Sequence, residues 1–80
     1  MKQLLEYVVQ HLVAEPDDVV IHEVAGERSV VLEVHVNEDD LGRVIGRRGR
    51  VAQALRTLAK AGAVRDGRLV HVEIVDTPVE

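Results

Sequence analysis

Two glycines set three residues apart, Gly46 and Gly49, with arginine at both positions between them, cut an apolar helical pattern into two pieces. Val44 and Ile45 run into Gly46-Arg47-Arg48-Gly49, and helical spacing resumes at Arg50, with Val51, Leu55 and Leu58 on one stripe and Ala52 and Ala59 beside it. A chain built this way must turn tightly from one helix into the next. Glycine lacks a Cβ and accepts positive φ, so the main chain at this bend is expected to stand open to a ligand. The amides of Gly49 and Arg50, where the second helix opens, are expected to face outward with the positive end of the helix dipole, a setting that suits a phosphate. Arg47, Arg48 and Arg50 add planar donor groups that match phosphate oxygens.

A net charge of -4 argues at first against a polyanionic partner, but the average hides a segregation. Over 41–68 there are eight basic residues, Arg43, Arg47, Arg48, Arg50, Arg56, Lys60, Arg65 and Arg68, against the single acid Asp66. The remainder carries Lys2 and Arg28 against thirteen acids. The cationic surface is therefore local, and Arg43 and Arg56 are expected to extend a phosphate-tracking face beyond the bend.

The rest of the chain frames that bend. Apolar residues at Leu5, Val8 and Leu12 predict a helix over 2–13, ended by Pro16, with Asp17-Asp18 as the link. The β-branched run over 19–25 predicts a strand whose two apolar parities compete, so its faces stay unassigned. After a turn at 26–28, alternation of Val30, Leu32, Val34 and Val36 predicts a second strand over 29–36. Asn37 followed by Glu38, Asp39 and Asp40 reads as a helix cap with acids in the first turn. The helix from Arg50 is expected to stop near Gly62, a loop to cover 63–67, and a last strand to span 68–76 before Thr77-Pro78. This order, helix, strand, strand, helix, helix, strand, is that of an α+β domain with helices packed on one sheet face.

A helix, Ile-Gly-x-x-Gly, a second helix and flanking strands resemble a KH domain, and the additional helix and strand at the N-terminal end resemble the type II, prokaryotic arrangement. The likeness covers the whole chain, 1–80, as one KH domain, and is similar to the short free-standing bacterial members. It implies a three-stranded mixed sheet, and a clamp made by Gly46, Arg47, Arg48 and Gly49 on about four nucleotides of a single strand of RNA. Val44 and Ile45 are then expected near the groove for the bases, with 63–67 as its short variable loop. It also implies self-pairing, a larger KH-containing partner, and a role in regulating or chaperoning transcripts.

Other classes fit less well. Tyr7 is the lone aromatic residue, which disfavours RNA-binding folds that stack bases on aromatic platforms. There is no cysteine, and His11, His22, His35 and His71 lack the spacing of metal-ligand pairs on a helix, so neither a metal nor a cofactor is expected. Gly42, Gly46 and Gly49 do not make a Walker sequence, and no nucleophile and base stand together, so no catalysis is expected. Met1 leads straight into an amphipathic pattern with no long apolar run, which points to a cytoplasmic protein. The rival reading is a protein-interaction module, docked through the acidic first helix and hairpin, in which RNA is incidental. Single-stranded DNA is a variant ligand.

Overall fold

A computed structural model describes residues 2–75 and, over 63–66, the backbone alone; the expected strand end at Asp76 and the closing Thr77-Pro78 lie outside the described residues. The chain runs α1 (Lys2–Leu12), β1 (Val20–Ala25), β2 (Ser29–His35), α2 (Leu41–Ile45), α3 (Arg50–Asp66) and β3 (Leu69–Ile74). Short 3₁₀ turns at Pro16–Asp18, Glu38–Asp40 and Arg47–Gly49 join them. The element order is the expected one, and the class is α+β with a mixed sheet.

Sheet order is β1-β2-β3. β1 and β2 form an antiparallel hairpin from Val20↔His35 to Ala25↔Val30, and the Gly26 amide donates to the Ser29 carbonyl at 2.7 Å to close it. β2 and β3 are parallel, from Ser29↔Leu69 to Val34↔Ile74. Parallel neighbours need a long crossover, and α2 with α3 supplies it. The glycine-arginine bend therefore lies in the middle of the connection between two adjacent strands.

All three α-helices cover one face of the sheet. Ile21, Val30, Leu32, Val34 and Val72 point into it and meet Leu5 and Val9 of α1, Val44 of α2, and Leu55 and Ala59 of α3. Each fully buried Leu or Val contributes about 1.5–3 kcal/mol through removal from water. The ambiguous parity of the first strand resolves here. Ile21 is buried opposite Val34, while Val20 and Val24 are exposed on the face without helices.

One boundary differs in kind from expectation. α3 does not stop at Gly62 but continues to Asp66, so most of the anticipated loop over 63–67 is the helix's last turn. Gly67, at φ 68°, is the residue that leaves the helix through the left-handed region. Gly62 sits inside the helix, where glycine costs only about 1 kcal/mol relative to alanine and packing of α3 on β3 outweighs it.

Candidate nucleic-acid interface

Three of the bend's four residues, Gly46, Arg48 and Gly49, have positive φ. The Gly46 amide donates to the Gly42 carbonyl at 2.9 Å and ends α2, after which Gly46 takes φ 75° and ψ 174°, a region open essentially to glycine alone. A Cβ there would lie 2.5 Å from Val51 Cγ2 and 2.9 Å from the Val51 nitrogen. The missing side chain of Gly46 is thus filled by the protein itself, not left for a ligand. Gly49, at φ 72°, is the opposite case: a Cβ on it would meet nothing within 4 Å. Only the second glycine leaves the main chain open.

Arg48 lies at φ 56° and ψ 25°, the one non-glycine residue with positive φ among the described residues. An L-residue in that region costs on the order of 1 kcal/mol. Such strain is characteristic of sites whose geometry serves something other than stability.

The expected phosphate cradle shifts by two residues. The Gly49 amide donates to the Gly46 carbonyl at 3.2 Å, and the Arg50 amide donates to the Arg47 carbonyl, closing the 3₁₀ turn Arg47–Gly49. Those two amides are already used. Among the described residues, the Arg47 and Arg48 amides meet no main-chain carbonyl, as the first residues of a helical turn must. They are the donors this bend can offer.

The arginines fall into two groups. Arg47, Arg48 and Arg50 are exposed and make no ion pair among the described residues. Arg43 and Arg56 are each tethered through Nε. Arg43 Nε lies 3.4 Å from Asp40 Oδ1, and Arg56 Nε donates to the Val72 carbonyl at 3.4 Å. The Leu69 and Val75 amides bond to carbonyls of Arg28 and Val34 on the β2 side, so the alternate residues Val70, Val72 and Ile74 turn their main-chain groups to the free edge. Arg56 thus reaches over the open edge of β3.

The apolar pair before the bend divides. Val44 is fully buried and serves to seat α2 in the core, whereas Ile45 is 37% exposed beside the bend. The resemblance puts both near a groove; only Ile45 has surface to give one.

Asp40 is the residue the sequence misread. Asn37 Oδ1 accepts the Asp39 amide at 2.9 Å and does the capping, while Asp40 makes no cap bond to α2. Its carboxylate is instead buried and accepts the amides of Ala14 and Glu15 at 3.0 and 3.1 Å. Nothing in the local pattern separates it from its neighbours Glu38 and Asp39, because its partners lie some twenty-five residues away in sequence.

Next to the bend, a cleft of about 340 Å³ lies between α1 and α3, lined by Val8, Leu12, Val51, Leu55 and Leu58 and, at the bend itself, by Arg50. On the face without helices, the His35 ring meets the His22 ring edge-on at 5.0 Å between centroids. Among the described residues, no group of three or more histidine, cysteine or acidic side chains is placed to hold a metal ion. Among them, too, no helix is long and apolar enough to cross a membrane.

Comparison with known proteins adds an independent line. The family model described as "KhpA/KhpB, KH domain" matches residues 2–74. The protein named RNA-binding protein KhpA in Leifsonia xyli is 56% identical over 72 residues, covering 90% of this chain and 92% of its own. The proteins of that name in Clostridium acetobutylicum and Clostridium perfringens are 51% and 47% identical over 75 residues, covering 94% of this chain and all of theirs. No solved structure matches the chain.

Proposed function

The chain belongs to the KhpA/KhpB family of KH domains, and from that premise we propose that it is a non-catalytic protein that binds single-stranded RNA through the bend from Gly46 to Gly49. The observation that carries this reading is the bend itself. It presents two amides with no main-chain acceptor, Arg47 and Arg48, on two exposed arginines, with open space beside Gly49. Unpaired amides and planar cations together suit a phosphate oxygen. Arg50, Arg43 and Arg56 extend the positive surface, and Ile45 offers an aliphatic wall to a base. Val44 acts only by fixing α2.

Affinity in such a site comes chiefly from phosphates, so it is salt-dependent and only weakly selective. A contact of about four nucleotides is short for a regulator of transcripts, and a second binding unit would raise effective affinity without new contacts. We therefore place the domain, residues 1–80, in the cytoplasm as a regulator or chaperone of transcripts that works paired with itself or with a larger, KhpB-like KH protein. The apolar cleft between α1 and α3 is the surface such a partner would cover.

The test is the double substitution Arg47→Asp and Arg48→Asp, followed by titration with a short fluorescent single-stranded RNA. Both side chains are exposed, so the fold is expected to survive and binding to disappear. RNA binding that persists in a folded double variant excludes the bend as the site. Matched RNA and DNA titrations measure what the 2′-hydroxyl contributes.

A second reading, a docking module in which RNA is incidental, draws on the same apolar cleft. Partner capture before and after nuclease treatment separates them: a protein contact survives the nuclease, whereas association bridged by RNA does not.

A further inference from the structure

Asp40 stands where three segments meet. Its Oδ1 accepts the Ala14 amide at 3.0 Å and faces Arg43 Nε at 3.4 Å, while Oδ2 accepts the Glu15 amide at 3.1 Å. Burying a carboxylate is costly unless its oxygens are satisfied, and here two distant amides and one guanidinium satisfy them. α2 has five residues, too few to hold a direction by its own hydrogen bonds. Its bearing is set by what it anchors in the interior: Val44 within it and Asp40 just before it.

The consequence falls on Arg43. Its side chain is 62% exposed although its Nε sits against a carboxylate that is 2% exposed. The ion pair therefore draws the Nε side of the guanidinium toward Asp40 and leaves most of the side chain in solvent. No other arginine of the bend is fixed by a carboxylate among the described residues.

We propose that Asp40 is a positioning residue for the RNA site: it aims Arg43 so that the two Nη groups take a phosphate of the strand in a two-point contact. This rests on the RNA-binding reading of the bend and adds to it a role for a residue of negative charge. Planar bidentate contact to phosphate is open to arginine and closed to lysine. A lysine at 43 has a single nitrogen, so it cannot turn one donor to Asp40 and offer a phosphate two coplanar donors from separate nitrogens.

The experiment compares Arg43→Lys, Arg43→Gln, Asp40→Asn and the Asp40→Asn/Arg43→Gln pair, each checked for folding by thermal melting and titrated with a short fluorescent single-stranded RNA. Arg43→Lys is expected to lose about as much affinity as Arg43→Gln, about tenfold. Asp40→Asn is expected to weaken binding too, and its effect to vanish once Arg43 is gone. Charge alone gives the opposite sign: removing an acid beside a cationic site tightens RNA binding. An Arg43→Lys protein that binds like the unaltered chain, or an Asp40→Asn protein that binds more tightly, overturns the proposal. So does an Asp40→Asn loss that persists in full beside Arg43→Gln, since Asp40 then acts on the fold at large. If Asp40→Asn does not fold, Asp40→Glu, which keeps the charge but moves the carboxylate, takes its place in the same cycle, and an Asp40→Glu protein that folds and binds RNA like the unaltered chain overturns the proposal. The Arg47→Asp/Arg48→Asp protein, run alongside, separates the two levels: if it still binds RNA, the site itself is elsewhere and this proposal falls with it.

Discussion

Gly46 and Val51 share one volume. The position a Cβ would take on Gly46 is 2.5 Å from Val51 Cγ2 and 2.9 Å from Val51 Cβ. The first glycine of the bend thereby locks the start of α3 against the end of α2.

Gly46→Ala is accordingly expected to be severe, because strain at φ 75° adds to the overlap with Val51. A loss of more than about 2 kcal/mol follows, or a fall in Tm of roughly 10 °C or more for a domain of this size. Trimming Val51 to alanine does not restore it, since Val51 Cβ and its nitrogen remain at 2.9 Å. Thermal unfolding of the single and double variants checks both statements.

Gly49→Asn should behave differently. Nothing lies within 4 Å of its would-be Cβ, and asparagine tolerates positive φ, so the stability cost is expected to stay below about 1 kcal/mol. RNA affinity is nevertheless expected to fall, because the new side chain occupies the open side of the bend. Melting and titration of one protein supply both numbers.

Arg48→Asn should move stability and binding in opposite directions. Asparagine is easier than arginine to hold at φ 56°, so unfolding is expected to become harder by some tenths of a kcal/mol, up to about 1. Losing the guanidinium weakens RNA binding. A variant that is both more stable and as strongly bound would show that the strain at this position serves nothing.

Salt dependence counts the phosphates. For single strands, each phosphate contact contributes about 0.7 to the slope of log K against log salt. Arg47→Gln and Arg48→Gln are each expected to flatten that slope by about this amount, whereas Arg28→Gln, in the β1–β2 turn far along the chain, should leave it unchanged. Titrations across a series of salt concentrations decide it.

How much of this was legible follows from where each piece of information resides. The bend was legible because the pattern of Gly46, Gly49 and the resumed stripe Val51, Leu55, Leu58 is local. β2 was legible because Val30, Leu32 and Val34 share one parity and, on the other, only Val31 is apolar. The faces of β1 were not, since Val20, Ile21 and Val24 are alike in kind and only pairing with Val34 selects Ile21 for the interior. Gly62 and Gly67 both look like helix ends, and tertiary packing of α3 on β3 chooses between them. The roles of the glycines escaped for a similar reason: composition says that a Cβ is missing, but not whether Val51 or a ligand fills its place. Asp40 escaped most completely, as its partners at Ala14 and Glu15 come from another part of the chain.

The reach of Arg56 over the Val72 carbonyl has a consequence for the behaviour of many copies together. A strand edge with unpaired main-chain groups templates the addition of further strands, and proteins commonly guard such edges with a bulky cation. Arg56 stands guard at the middle of β3, so its loss leaves the Val72 carbonyl without a partner among the described residues, on an edge through which one molecule can stack onto the next.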